Sequence, residues 1–138
     1  MSEPIRVAVI VNPALPPGLL ANTVAAVSIG LGARIPGLGG ARLADSHGRE
    51  IDVSSNRPVP ILAADAATLR ALTLKAVAHD STLAVVPFPA FARALHDYAD
   101  YQRAFPGRDL AGEAIDGLAL AGPEKTIRSL TGSLRLLR

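Results

Sequence analysis

The sequence predicts an α/β fold, a sandwich with sheet in the middle layer and helices on both faces, and three observations carry that expectation. Apolar runs of strand length recur along the chain: "IRVAVIVN" from residue 5, "VPILAAD" from 59, "STLAVVPFP" from 81 and "IDGLALAG" from 115. They are continuous rather than alternating, as strands covered on both faces require. Between them the apolar spacing becomes helical, as at Leu69, Leu72 and Ala76, which recur at i, i+3 and i+7. Alternation of strands with helices then selects a layered α/β architecture. The 138 residues are expected to form one domain, 1–138, because no repeat, low-complexity tract or linker divides them.

Taken in order, the first strand ends at Asn12-Pro13, and "PALPPG" follows, where three prolines and a glycine break any ladder. Residues 19–31 are small and apolar and suit a helix packed closely on a sheet. "GLGARIPGLGG" ends that helix with glycine. "ARLADSHGREIDVSS" reads as two short strands around Ser46-His47-Gly48, a hairpin excursion. Asp65 closes the second core strand and is placed to cap a helix over 66–78. The third core strand stops at Pro87 and Pro89. Phe91, Leu95, Tyr98 and Phe105 keep helical spacing through much of "AFARALHDYADYQRAF", and "PGRDLAGE" is loop. After the fourth core strand, Pro123 stands at the first position of a final helix, where its missing N–H costs nothing. Ile127, Leu130, Leu134 and Leu137 form that helix's expected core stripe.

Composition narrows the function classes. With 49% hydrophobic and 19% charged residues the chain is globular rather than disordered. It has no cysteine, which excludes disulfides, a thiolate nucleophile and cysteine-ligated metals. No apolar stretch approaches the ~20 residues of a membrane span, and residues 5–11 lack the flanks of a signal peptide. A cytoplasmic protein without a membrane partner is expected. The closing segment holds Lys125, Arg128, Arg135 and Arg138 against Glu124, a surplus larger than the +2 net charge of the whole chain. Such a surplus suits a helix C-terminus as well as a phosphate-bearing partner. The three histidines, His47, His79 and His96, have no metal-ligand spacing, so no metal and no cofactor is expected. His79-Asp80-Ser81 holds the residue types of a triad, but adjacent side chains diverge, and a helix end with a turn is the expectation there.

The two ends of the chain resemble a known family. "LALAGPEKTIRSLTGSLRLLR" resembles the closing strand and helix of type II peptidyl-tRNA hydrolases, with Gly122-Pro123, Thr131-Gly132 and Leu134-Arg135-Leu136 in the matching places. "VAVIVNPALPPGLLANTVAAV" resembles that family's first strand, glycine-containing loop and small-residue helix. The resemblance implies a three-layer α/β/α sandwich on a four-stranded mixed sheet of order 2-1-4-3 with one strand antiparallel, and a homodimer. It also exposes two departures. The family's hydrolases carry a lysine entering the first helix, where this chain has Leu19, Leu20 or Ala21, and its only lysines are Lys75 and Lys125. Ala14 stands where the family has aspartate. The family's Asp-Ala-Gly-x-Thr connection is replaced by a helix-bearing insertion over 88–114, in which Asp109 with Ala111 and Gly112 is the nearest imitation.

The chain is therefore similar to the uncharacterised bacterial branch of that fold, with catalytic residues unknown. The loop after Asn12 leads into a helix whose N–H groups and dipole favour an anion or carbonyl group, at a strand end where open α/β sheets hold ligands. Asn12, Gly18, Asn22 and Thr23 are the candidate ligand-binding residues, with Asn22 and Thr23 expected in the helix's first turn. The expected function is binding of a small polar or anionic molecule without hydrolysis. A peptidyl-tRNA or related ester hydrolase using a relocated cation from the insertion is the alternative, which keeps tRNA open as a disfavoured partner. A dimeric protein-interaction module is the second alternative.

Overall fold

A computed structural model describes residues 4–79 and 82–138. Strand β6 (Ile115–Pro123) is its spine, with every residue but the last buried. It pairs antiparallel with β1 (Ile5–Val11) on one side and with β5 (Ala84–Pro89) on the other. On its far side β1 pairs in parallel with β4 (Ile61–Ala63). The sheet is mixed and has five strands in the order β5-β6-β1-β4-β7.

The fifth strand corrects the sequence reading. The final helix, α4, covers only Glu124–Thr131, and Arg135–Leu136 form β7, an antiparallel edge strand on β4. Pro123 ends β6 and precedes the helix rather than opening it. The Thr131 hydroxyl donates to the Ile127 carbonyl at 2.7 Å, and Leu134 N–H closes a turn on Thr131. The chain then runs along the exposed edge of β4, whose backbone groups need partners. Ile127 and Leu130 are buried as expected, Leu134 packs on the core from its margin, and Leu137 reaches the sheet through its backbone, donating to Ile61.

The two faces of β6 differ in side-chain size, and that difference sets the layers. Leu118 and Leu120 point into one core with Ile10, Leu69, Leu72 and Ile127, beneath α2 (Ala66–Val77) and α4. Ala119 and Ala121 point the other way, into a core with Val7, Val9, Val27 and Leu31, beneath α1 (Pro17–Arg34). Helix α1 sits close enough that a Cβ at Gly117 would lie 2.6 Å from the Thr23 methyl, and one at Gly30 2.9 Å from Val86. Helix α2 begins as its sequence implies, with Asp65 accepting from the Thr68 N–H at 2.8 Å.

Two excursions leave this frame. Strands β2 (Arg42–Ala44) and β3 (Glu50–Asp52) form the expected hairpin, exposed along its whole length. Residues 90–114 roof one end of the sheet with a 3-10 turn at Ala90–Ala94, helix α3 (Tyr98–Ala104) and two further short turns.

Two outcomes follow. Gly117→Ala should destabilise by about 1–3 kcal/mol, the range for overpacking a close contact, read from urea unfolding. The Asp65 carboxyl lies below its ordinary pKa because the Thr68 N–H bonds its charged form. Its contribution is therefore present above the ordinary aspartate value of 3.8 and is lost as pH falls through the lowered one. Asp65→Asn, which keeps the cap, should flatten that part of the acid-unfolding profile.

Candidate functional site

The site forms where β1 ends and α1 begins. The Asn12 side-chain oxygen accepts from the Ala14 N–H at 3.0 Å, and the Asn12 N–H donates to the Asp116 carbonyl at 3.0 Å. This turn steers the chain off the sheet, and Pro17, pre-set for a first helical turn, opens α1 two residues before the expected start. Asn22 and Thr23 consequently lie in the second turn, not the first. Gly18 is exposed, with nothing within 4 Å of the position a Cβ would take, so the start of the helix is open to approach.

Asn22 and Leu19 line a cavity of about 420 Å³ between α1 and the roof. Thr23 is not part of it. That side chain is fully buried, its hydroxyl donates to the Leu19 carbonyl at 2.8 Å, and its methyl rests on Gly117. Its hydroxyl is bonded within its own helix, and the side chain faces the sheet rather than the cavity. Asn12 likewise uses its side-chain oxygen on the loop. Of the four candidates, Asn22 faces the cavity and Gly18 stands free at the helix start.

The sequence does not signal the cation on the same cavity, Arg93, from the roof's first turn. Its Nε donates to Asp116 Oδ2 at 2.6 Å, and Nη2 donates to Oδ1. The Asp116 side chain is 4% exposed and that of Arg93 43%, so a buried carboxylate anchors a half-exposed guanidinium in the bidentate geometry that orients it most firmly. Those hydrogen bonds hold the Arg93 pKa above its ordinary value. What "AIDGLALAG" does signal is that Asp116, one acid in an apolar strand, needs a partner, without saying which residue supplies it. The remaining guanidinium N–H groups are donors for an incoming oxygen.

The rest of the roof is tied by aromatics and a second ion pair. The Tyr101 ring lies 5.6 Å from Phe91 and 6.1 Å from Phe105. Arg108 sits 4.0 Å over the Phe91 ring and donates through Nη2 to the buried Glu113 at 3.1 Å. Burial, with Glu113 and Tyr98 nearby, raises the Tyr101 phenol above its ordinary pKa, so it lines the cavity as a neutral O–H. Asp109 caps a short turn by accepting from Ala111 N–H at 3.0 Å, a structural duty. His96 is exposed on the cavity rim. His47 lies in the hairpin turn, its N–H bonded to Asp45 at 2.8 Å. His79 follows α2, while Asp80 and Ser81 lie outside the described residues.

Arg93→Leu should cost about 1–3 kcal/mol by leaving the buried Asp116 without its partner. The double variant Arg93→Leu/Asp116→Leu should recover part of that loss in urea unfolding, because an unpaired buried charge is worse than none.

Comparison with known proteins agrees with a family defined without a function. No curated protein matches the chain. A solved structure of a protein of unknown function from Agrobacterium tumefaciens strain C58 superposes with a TM-score of 0.87 at 20% identity, covering 99% of this chain and 98% of the other, a likeness of fold. The model of the family described as "Protein of unknown function (DUF2000)" matches residues 5–138, and the chain belongs to that family.

Proposed function

We propose that the protein binds a small polar or anionic molecule, of carboxylate or phosphate chemistry, in the cavity between the start of α1 and the roof. One observation carries this reading: Arg93, held by the buried Asp116, lines the same 420 Å³ space as Asn22 and Tyr101. The guanidinium and Asp116 together are close to neutral, and the Asp97 carboxylate on the same cavity accepts from the Ala99 N–H, so recognition rests on directed hydrogen bonds rather than on net attraction. Leu19, Phe88 and Leu95 on the same walls lower the local dielectric and strengthen those bonds. The volume fits a metabolite-sized ligand.

We also propose that the fold is related to the type II peptidyl-tRNA hydrolase sandwich. Within the five-stranded sheet the run β4-β1-β6-β5, with β6 alone antiparallel among these four, supports a likeness to type II peptidyl-tRNA hydrolases. Arg93 in the insertion also favours the second reading, an ester hydrolase whose cation comes from the roof rather than from a lysine at the helix start. A polarising cation would act on a developing oxyanion.

The homodimer is likewise our proposal, with the hairpin as its contact. Leu43 and Ile51 are cross-strand partners and are 59% and 61% exposed, while Arg42 is paired with Glu50 and Asp52 on the same arm. An unsupported two-stranded hairpin is marginal in water, and a second copy would cover its apolar pair.

Calorimetric titration with inorganic phosphate and with N-acetylglycine tests the main reading. Saturable binding of either is expected, weakened at least about tenfold by Asn22→Leu or Arg93→Lys, or about 1.4 kcal/mol. Absence of binding by both probes overturns it. Release of tRNA from peptidyl-tRNA by the purified protein, lost in Arg93→Lys, would establish the hydrolase instead. For the dimer, sedimentation should show the wild type as a dimer and Leu43→Glu/Ile51→Glu as a folded monomer.

A further inference from the structure

A second cavity, of about 450 Å³, lies away from Arg93 on the α1 side of the sheet. Val7 and Val9 of β1 form its floor, Leu31 of α1 one wall, and Leu38 with Val53 and Val59 of the connecting segments the other. Among the described residues, none around it is charged. The floor is almost fully buried by the chain itself, and the apolar surface left facing water is that of Ile29, Val53 and Val59, whose cover by apolar carbon is favourable.

The glycines of α1 show why it stays open. Gly30 and Gly32 both sit inside the helix, where glycine costs up to about 1 kcal/mol relative to alanine. At Gly30 the cost has a packing reason, because a Cβ would press on Val86 at 2.9 Å. At Gly32 nothing lies within 4 Å of the Cβ position, and Gly32 lines the cavity. Its missing side chain holds space rather than allowing contact. At the mouth stands Ile29, which also lines the cavity and is 74% exposed, an apolar residue without cover in this chain. The polar groups are few and neutral: Ser28, Ser54 and Ser55. Ser55 is committed to Arg57 through its hydroxyl, whereas no side-chain hydrogen bond engages Ser28 or Ser54 among the described residues.

We infer that this cavity is a second ligand site, taking a neutral, mainly aliphatic small molecule with a single hydroxyl- or carbonyl-type head. Aliphatic carbon covers Ile29, Val53 and Val59, and the head bonds the Ser28 or Ser54 hydroxyl. A charged head is disfavoured, because no cation or anion in the lining compensates its desolvation. The site shares no residue with the Arg93 cavity and stands whether or not that cavity binds an anion.

The test is an amide-resolved NMR titration of the full chain with 1-octanol and, separately, with sodium octanoate at neutral pH. Octanol should give saturable shifts at Gly32, Gly39, Gly40 and Ser54 and leave Leu19 and Asn22 unmoved. Octanoate should bind at least about tenfold more weakly. Gly32→Leu, which extends into free space and improves helix propensity, should remain folded by thermal unfolding and abolish the octanol shifts. Gly32→Ala should fold at least as well as the wild type and weaken octanol binding without abolishing it. Absence of saturable octanol shifts, shifts centred on Leu43 and Ile51 instead, equal binding of octanoate, or undiminished octanol binding by a folded Gly32→Leu would each overturn the assignment.

Discussion

The close seating of α1 on β6 is the contact from which the rest of the structure takes its positions. Gly117, Ala119 and Ala121 make one face of β6 nearly flat, and Thr23 and Gly30 let the helix down onto it and onto β5. Apolar packing alone would accept many helix heights, but steric contact at Gly117 and Gly30 accepts one. Because Thr23 rests on Gly117, the start of α1 is fixed beside Asp116, the residue before that glycine. The anchored cation, the cavity wall at Asn22 and the Asn12 turn are thereby brought together.

The opposite face of β6 obeys the same logic with larger side chains. Leu118 and Leu120 need two helices, α2 and α4, to cover them, while the small face has one helix, α1, with Leu38 at its margin. One helix cannot shield a sheet of five strands. Its two uncovered flanks are where connecting segments must do the work: the 3-10 turn Pro36–Leu38 with the segment after the hairpin at one, and the roof over 90–114 at the other. Loop segments pack with less regularity than helices, because their backbone polar groups must also find partners. Both cavities lie at those flanks, which ties the candidate sites to the asymmetry of a single strand.

Much of this frame can be read from the chain because it rests on local pattern. The buried strands announce themselves as apolar runs, the hairpin as two short strands around Ser46-His47-Gly48, and the α2 start as Asp65 before a helical period. The closing strand was not legible because Leu134, Arg135 and Leu136 satisfy both periods. Leu134, with Leu137 after it, continues the stripe of Ile127 and Leu130 at helical spacing, while Leu134, Arg135 and Leu136 alternate as an edge strand does. What decides between them is the open edge of β4, a tertiary fact. The candidate site was half legible. Asn22 was reached through helix-start reasoning, whereas Arg93 acts through Asp116, 23 residues away, and no local spacing encodes that pair. Thr23 is the opposite case, since a small polar residue near a helix start looks like a donor until its packing partner is known.

The anchoring of Arg93 has a consequence for how such a site can work. A lysine at a helix start would be carried by the scaffold itself. Here the cation is carried by the roof, and its position is copied from β6 through a buried carboxylate. Removing Asp116 from water is costly, and the compensation comes only when the first turn of the roof is seated with both guanidinium bonds made. The roof's other end is tied in the same manner, by Arg108 to the buried Glu113 two residues before β6 begins. Two polar latches therefore bracket the aromatic cluster of Phe91, Tyr101 and Phe105. Geometry at the cavity is set by charge pairing rather than by apolar packing, and charge pairing is directional where apolar packing is not. A site that must present a guanidinium edge at one angle to a planar carboxylate or phosphate gains from that directionality, and it gains nothing from a roof that could slide.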